Sequence, residues 1–154
     1  MTSTINRTVK NNKKAVIKKA VLVVALIFTS LFSFSQSVVK TITVTIDNVK
    51  NNNGKVIVSL HTEDTFMKNA GIMNAESEIK DGKVVITFNN VEPGEYAVMA
   101  LHDENGNQRM DFQENGMPLE SYGISNNIMS FGPPQYDDAK ITVSDENLDL
   151  NIRF

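Results

Sequence analysis

The chain has 154 residues, 41% of them apolar and 21% charged, which is the composition of one folded domain and excludes both a disordered tail and a comfortable pair of domains. The formal charge of -3 conceals a division, because six of the fifteen Lys and Arg residues fall between Arg7 and Lys19 while no Asp or Glu precedes Asp47. From Gln36 onward nine basic residues face eighteen acidic ones, a formal charge of -9, and this excludes nucleic acid as a natural partner because phosphate binding needs a basic face.

The basic opening stretch runs into Ala20–Phe34, fifteen residues without a charge, with small residues at Ser33 and Ser35. This order describes a secretory signal, so residues 1–35 are expected to be cleaved before Gln36. A transmembrane anchor would need about 20 apolar residues. The expected location is therefore the periplasm, the cell surface or the medium, with no stable membrane insertion after cleavage. There is no Cys, so the domain 36–154 can draw on neither a lipid-modified cysteine nor disulfides, and a bound metal ion would supply some of that stabilisation.

From Lys40 the hydrophobic period is two. Ile42, Val44 and Ile46 alternate with Thr41, Thr43 and Thr45, the pattern of a half-buried strand. After the Asn51–Gly54 turn, Val56, Val58 and Leu60 repeat the alternation, and the two runs are expected to pair as an antiparallel hairpin. Residues 63–75 lack a clean period and predict a loop with one helical turn near Phe66–Ala70. A strand over Glu76–Lys80 leads to Asp81-Gly82, a type I′ hairpin signal, and then to a strand carrying Val84, Ile86 and Phe88. Glu92-Pro93-Gly94-Glu95 fits a type II turn before a strand over Glu95–His102. Ala139–Ser144 and Leu148–Phe154 are expected to close the chain as a last hairpin. About seven short antiparallel strands predict an all-β sandwich, with residues 103–138 as one long ordered loop insertion.

That insertion holds half of the eight glycines, three of the four prolines and seven carboxylates against the single base Arg109. A structureless segment of this length is unusual in a compact domain, so a cation is expected to help order it. Counting from Asp103, oxygen-bearing side chains fall at positions one, three, five, nine and twelve, the ligand spacing of an EF-hand-type calcium loop. The expected ligands are Asp103, Asn105, Asn107, the Arg109 carbonyl, Asp111 and Glu114, with calcium favoured over magnesium because the amide and carboxylate donors are many and flexible. The sixth position, which an EF-hand reserves for glycine, is Gln108. The alternative for the same residues is a solvated turn whose side chains bond their own backbone.

The run VEPGEYAV (91–98), then HDENGN (102–107) with Asp111, then GMPLESYGISNN (116–127) and GPPQYDDA (132–139) together resemble the bacterial family called domain of unknown function 2141. The resemblance extends from about Thr41 to Phe154. It implies an exported single-domain protein with an Ig-like or transthyretin-like sandwich and no established activity. The basic, asparagine-rich opening and the Ser35-Gln36 junction are similar to signals of Bacteroidetes-type bacteria.

Two histidines are candidate bases, His61 and His102, and no nucleophile motif accompanies them. A hydrolase using His102 with loop carboxylates, Glu114 and Glu120 among them, is the enzymatic alternative. A calcium-stabilised binding or structural module of the cell envelope is the stronger expectation. Tyr122, Asn126, Asn127, Phe131 and Tyr136 combine aromatics with amides, which suits a carbohydrate, a peptide or an envelope protein, unless the aromatics instead fill a satellite core beneath the loop.

Overall fold

The computed structural model describes residues 38–129 and 132–154; the predicted signal with its cleavage site, and Phe131, lie outside them. Ser37–Phe154 forms one compact unit. Its described residues form eight strands: β1 (Lys40–Ile46), β2 (Lys55–His61), β3 (Met73–Glu78), β4 (Val84–Val91), β5 (Gly94–Asp103), β6 (Tyr122–Ile124), β7 (Lys140–Val143) and β8 (Leu148–Asn151). The only helical pieces among the described residues are a 3-10 turn, Ser125–Asn127, and the four-residue helix α1, Tyr136–Ala139. No helix among them is long and apolar enough to cross a membrane.

The strands form two sheets, one ordered β4-β1-β8 and one ordered β3-β2-β5, with β6 and β7 both on the far edge of β5. Alternation explains the core directly. Ile42, Val44, Ile46, Val84, Ile86 and Phe88 of the first sheet and Val56, Val58, Leu60, Val98 and Ala100 of the second bury into one shared cluster. Each such side chain contributes about 1.5–3 kcal/mol when fully buried, so strands with one apolar face are stable only against a second sheet.

That requirement corrects two expected pairings. β1 and β2 do not form a hairpin: β1 pairs with β4, β2 pairs with β3 and β5, and the two face each other from opposite sides of the core. β7 and β8 do not form one either. β7 joins β5, while β8 joins β1 in parallel register, Ile42 beside Leu148 and Val44 beside Leu150, so the first sheet is mixed rather than antiparallel. The third predicted strand runs over Met73–Glu78 instead of 76–80, because Ile72 and Met73 already pair with Leu60.

The turns divide in the same way. Asp81 and Gly82 both have positive φ, 53° and 70°, and Lys80 and Lys83 exchange hydrogen bonds of 3.0 and 2.9 Å, as a type I′ turn requires. Beyond that one rung β3 and β4 separate into different sheets. Gly94, in contrast, is not left-handed, so no type II turn forms at Pro93-Gly94. The Tyr96 ring covers Gly94, where a Cβ would come within 3.1 Å of the phenol oxygen, and the Tyr96 hydroxyl donates to the Glu92 carbonyl at 3.0 Å. This tyrosine corner pins the crossing from β4 to β5. The helical turn expected near Phe66–Ala70 does not form, because Met67 is left-handed with φ 57°; two successive turns, Phe66 N to Thr62 O and Asn69 N to Thr65 O at 3.0 Å each, deliver Phe66 instead to a second small core with Ala97, Ile124 and Ala139.

β5 has a break in its pairing. β7 covers Gly94–Ala97 and β6 covers Met99–Leu101, which leaves Val98 between them. The Ser125 hydroxyl fills the gap, accepting from Val98 N at 3.0 Å and donating to the Ala139 carbonyl. Ser125→Ala would strand both backbone groups in the interior at a cost of about 1–3 kcal/mol, read as a lower urea midpoint with an unchanged denaturant slope.

Candidate functional site

The predicted cation loop leaves β5 at Asp103, which is 2% exposed. Its carboxylate acts as a cap for the loop: Oδ1 accepts from Gly106 N at 2.8 Å and Asn107 N at 3.1 Å, and Oδ2 accepts from Gln108 N at 2.8 Å. Gln108 adopts φ 62°, the left-handed conformation that glycine supplies at this position in an EF-hand, so the backbone turns there despite the side chain. Asn105 and Asn107 each donate Nδ2 to Asp111 Oδ2, at 2.6 and 2.7 Å, while their Oδ1 atoms accept from Asn107 N and Arg109 N at 3.0 Å. Asp103, Asn105, Asn107 and Asp111 are thereby drawn into one cluster. Arg109 is exposed, with Nε 3.7 Å from Asp111 Oδ1.

Glu114 takes no part in these hydrogen bonds and lies exposed at the tip of a small hairpin closed by Gln113 N to Met117 O and Leu119 N to Asp111 O, both 2.8 Å. Glu120 holds the loop from behind instead. Buried to 8% exposure, it accepts from Glu104 N at 2.9 Å and from Asp111 N at 3.2 Å, tying the start of the loop to its end. Only its place in the acidic insertion hinted at it; a contact across sixteen residues has no local periodicity. Among the described residues no three His, Asp or Glu side chains converge as a metal-holding group.

His102 has no exposed surface. Its Nε2 lies 2.8 Å from the Asn53 carbonyl, which can only accept, so Nε2 carries the proton, and the ring stacks near Phe154 with the planes 7° apart. Nδ1 makes no hydrogen bond and faces Glu104 Oε1 at 3.8 Å. His61 is buried on the outer face of β2, edge-on to Phe66, with its centroid 5.8 Å from that ring and Nδ1 unpaired.

The aromatic and amide residues predicted for a ligand surface separate by role. Tyr136 packs edge-on to Phe66 in the second core, with centroids 5.9 Å apart. Burial raises its phenol pKa above the ordinary 10.0, with nearby Glu95 acting in the same direction. Asn126 and Asn127 are left-handed, with φ 66° and 54°, and their amides bind backbone. Asn126 Nδ2 donates to the carbonyls of Asp138 and Lys140, both at 3.0 Å. Asn127 donates to Asn151 O at 2.7 Å and accepts from Arg153 N at 2.8 Å. The pair works as a clasp joining the insertion to β7 on one side and to the C-terminal tail on the other. Tyr122 and Asn127 line a cavity of about 330 Å³ beside that tail. Nothing in the sequence pattern marks Arg153, which also lines it.

The family described as "Uncharacterized protein conserved in bacteria (DUF2141)" matches residues 44–151, and the chain belongs to it. No curated protein matches the chain, and no solved structure does.

Burial lowers the His61 pKa below the ordinary 6.5, against the opposing effect of the Thr65 backbone. The unfolded chain therefore takes up the proton first, and the His61 contribution to stability falls as pH drops below 6.5, levelling off beneath the folded value. Unfolding midpoints taken from about pH 7.5 to about pH 5.5 should decline more in the wild type than in His61→Gln.

Proposed function

We propose that the protein is an exported, calcium-stabilised Ig-like β-sandwich that serves as a binding or structural module of the cell envelope, in the periplasm, at the surface or released. Two sheets around one core, and a tyrosine corner at a crossing between them, support the Ig-like assignment. The observation that carries calcium is the clustering of Asp103, Asn105, Asn107 and Asp111 in one loop, with the Glu120 carboxylate behind it and only an exposed guanidinium opposed to it. Asp103 Oδ2 and Asp111 Oδ1 each keep lone pairs for a cation. Asn105 and Asn107 would turn their amides to present oxygen, and the Arg109 carbonyl and Glu114 would complete the set.

The loop connects to the rest of the domain through Asp103 and Glu120, so a cation there would rigidify the insertion that carries the ligand surface. Partners of the module are a carbohydrate, a peptide or an envelope protein. Hydrolysis through His102 has less support, because a fully enclosed imidazole offers a substrate no contact.

The decisive measurement is the thermal midpoint of residues 36–154 with calcium, with magnesium and with chelator. Calcium at a hundred times its dissociation constant should stabilise the fold by about 2.7 kcal/mol, several degrees for this size of domain. Asp111→Ala should abolish that rise and, by removing the acceptor for Asn105 and Asn107, also lower the chelated midpoint somewhat. Equal midpoints in millimolar calcium and chelator would overturn the calcium reading.

A further inference from the structure

We propose that the free edge of β4 takes up an extended peptide as an antiparallel strand, and that the peptide ends there, with its C-terminal carboxylate beside Lys80 and Lys83. The proposal deepens the binding-module reading and rests on it, but it does not depend on calcium.

The hydrogen-bonding direction of β4 follows from its neighbours. Ile152 N donates to Thr45 O at 2.9 Å, so the peptide groups of Thr45 address β8, and by alternation those of Val44 and Ile46 address β4. Ile86 and Val84 stand opposite them and point back to β1, which leaves the N–H and C=O of Val85 and Thr87 directed outward. Lys83, two residues before Val85, has the same direction, and its N–H and C=O are the groups exchanged with Lys80. Beyond that rung β3 leaves for the other sheet, and among the described residues β4 pairs with β1 alone.

The other edges are blunted. β3 carries Glu76 and Glu78, β6 and β7 have three and four residues, and on β8 the Asn127 amide occupies Asn151 O and Arg153 N. β4 has eight residues with neither charge nor proline, and Val85 is 51% exposed on the outer face. An open edge of this kind is a template for strand addition, in which main-chain hydrogen bonds hold the incoming chain. Left-handed Asn90, with φ 59°, coincides with a register shift that ends the straight part, so the docking frame is Val85–Asn89.

Geometry and charge select the occupant. The Lys80–Lys83 rung closes one end of the edge, so an added strand cannot run past it. A second copy of β4 paired antiparallel about Thr87 would carry its own Asn90–Glu92 onto that rung, whereas a chain end stops short of it. An antiparallel strand reaches the rung with its C-terminus. Lys80 and Lys83 are exposed like charges directly opposite each other, and neither makes an ion pair among the described residues. A carboxylate beside them relieves that repulsion. Glu78 lines the same crevice and the domain's formal charge from Gln36 is -9, which disfavours a peptide with further acidic residues. A β-branched residue beside Val85 would cover its exposed surface.

The test is amide hydrogen exchange by NMR on 15N-labelled residues 36–154, alone and with millimolar acetyl-Ser-Thr-Ser-Val-Ser-Val. Alone, the Val85 and Thr87 amides should exchange about tenfold faster or more than those of Val84 and Ile86. The peptide should slow them and leave Asp149 on the edge of β8 unchanged. Its C-terminal amide should bind about tenfold more weakly, the loss of one charge-assisted contact, and the double variant Lys80→Gln, Lys83→Gln should erase that difference without moving the β1 signals. Thr87→Pro removes an outward N–H and should abolish the protection, and a peptide N-methylated at alternate residues should fail in the same way against the unaltered protein. Unchanged exchange at Val85 and Thr87, or equal binding of acid and amide, would overturn the proposal. Protection of these amides without peptide, in a species of twice the mass by sedimentation, would overturn it in favour of a second copy. A neutral oligosaccharide that binds while the peptide does not would also overturn it, leaving the module reading intact. Calcium-independent midpoints would bear only on the cation loop.

Discussion

The far edge of β5 is the constraint on which the rest of this structure depends. One edge of the strand is covered by β2 from Ala97 to Asp103, but the other is shared between two short strands that arrive from distant parts of the chain. Every buried N–H and C=O along that edge must find a partner, since an unpaired one costs about 1–3 kcal/mol. The Ser125 hydroxyl supplies the missing partner at Val98, and with it the segment that joins β6 to β7 is held against β5. Asn126 and Asn127 extend the same arrangement by binding the backbone of Asp138, Lys140, Asn151 and Arg153. Three consecutive polar residues thus do for the insertion what a longer strand would do by ladder pairing.

Order in the insertion comes from side-chain to backbone hydrogen bonds more than from apolar burial. Asp103 caps the loop from one end, Glu120 reaches across it from the other, and Phe66, Ile124, Ala139 and Tyr136 provide only a small core beneath. Carboxylates buried in this way need donors or a cation, because an unpaired buried charge is costly. Backbone amides satisfy Asp103 and Glu120, and asparagine amides satisfy Asp111.

Several elements were readable from the sequence because their causes are local. Period-two alternation in 40–46, 55–61 and 84–91 marks strands with one buried face, and Asp81-Gly82 marks a turn whose two positive φ values few other residue pairs tolerate. Oxygen-bearing residues at alternate positions from Asp103 mark a loop that bonds to itself. The family, too, was legible: the resemblance carried by four motifs in order agrees with the family match over residues 44–151.

Which strand lies beside which was not determined locally. An alternating strand specifies the face it buries, not the edge it offers, so β1 and β2 are equally well served by pairing together or by facing each other across a core. Burial of both apolar faces decided for the second arrangement, and the parallel placement of β8 beside β1 followed. Likewise Glu120, Asn126 and Asn127 read as polar loop residues, and only folding brings their side chains to backbone groups 9 to 26 residues away. The sequence by itself determined the all-β class, the acidic loop and the family. The tertiary structure alone decided sheet membership and the role of each loop side chain, because those depend on contacts between distant segments that no local pattern encodes.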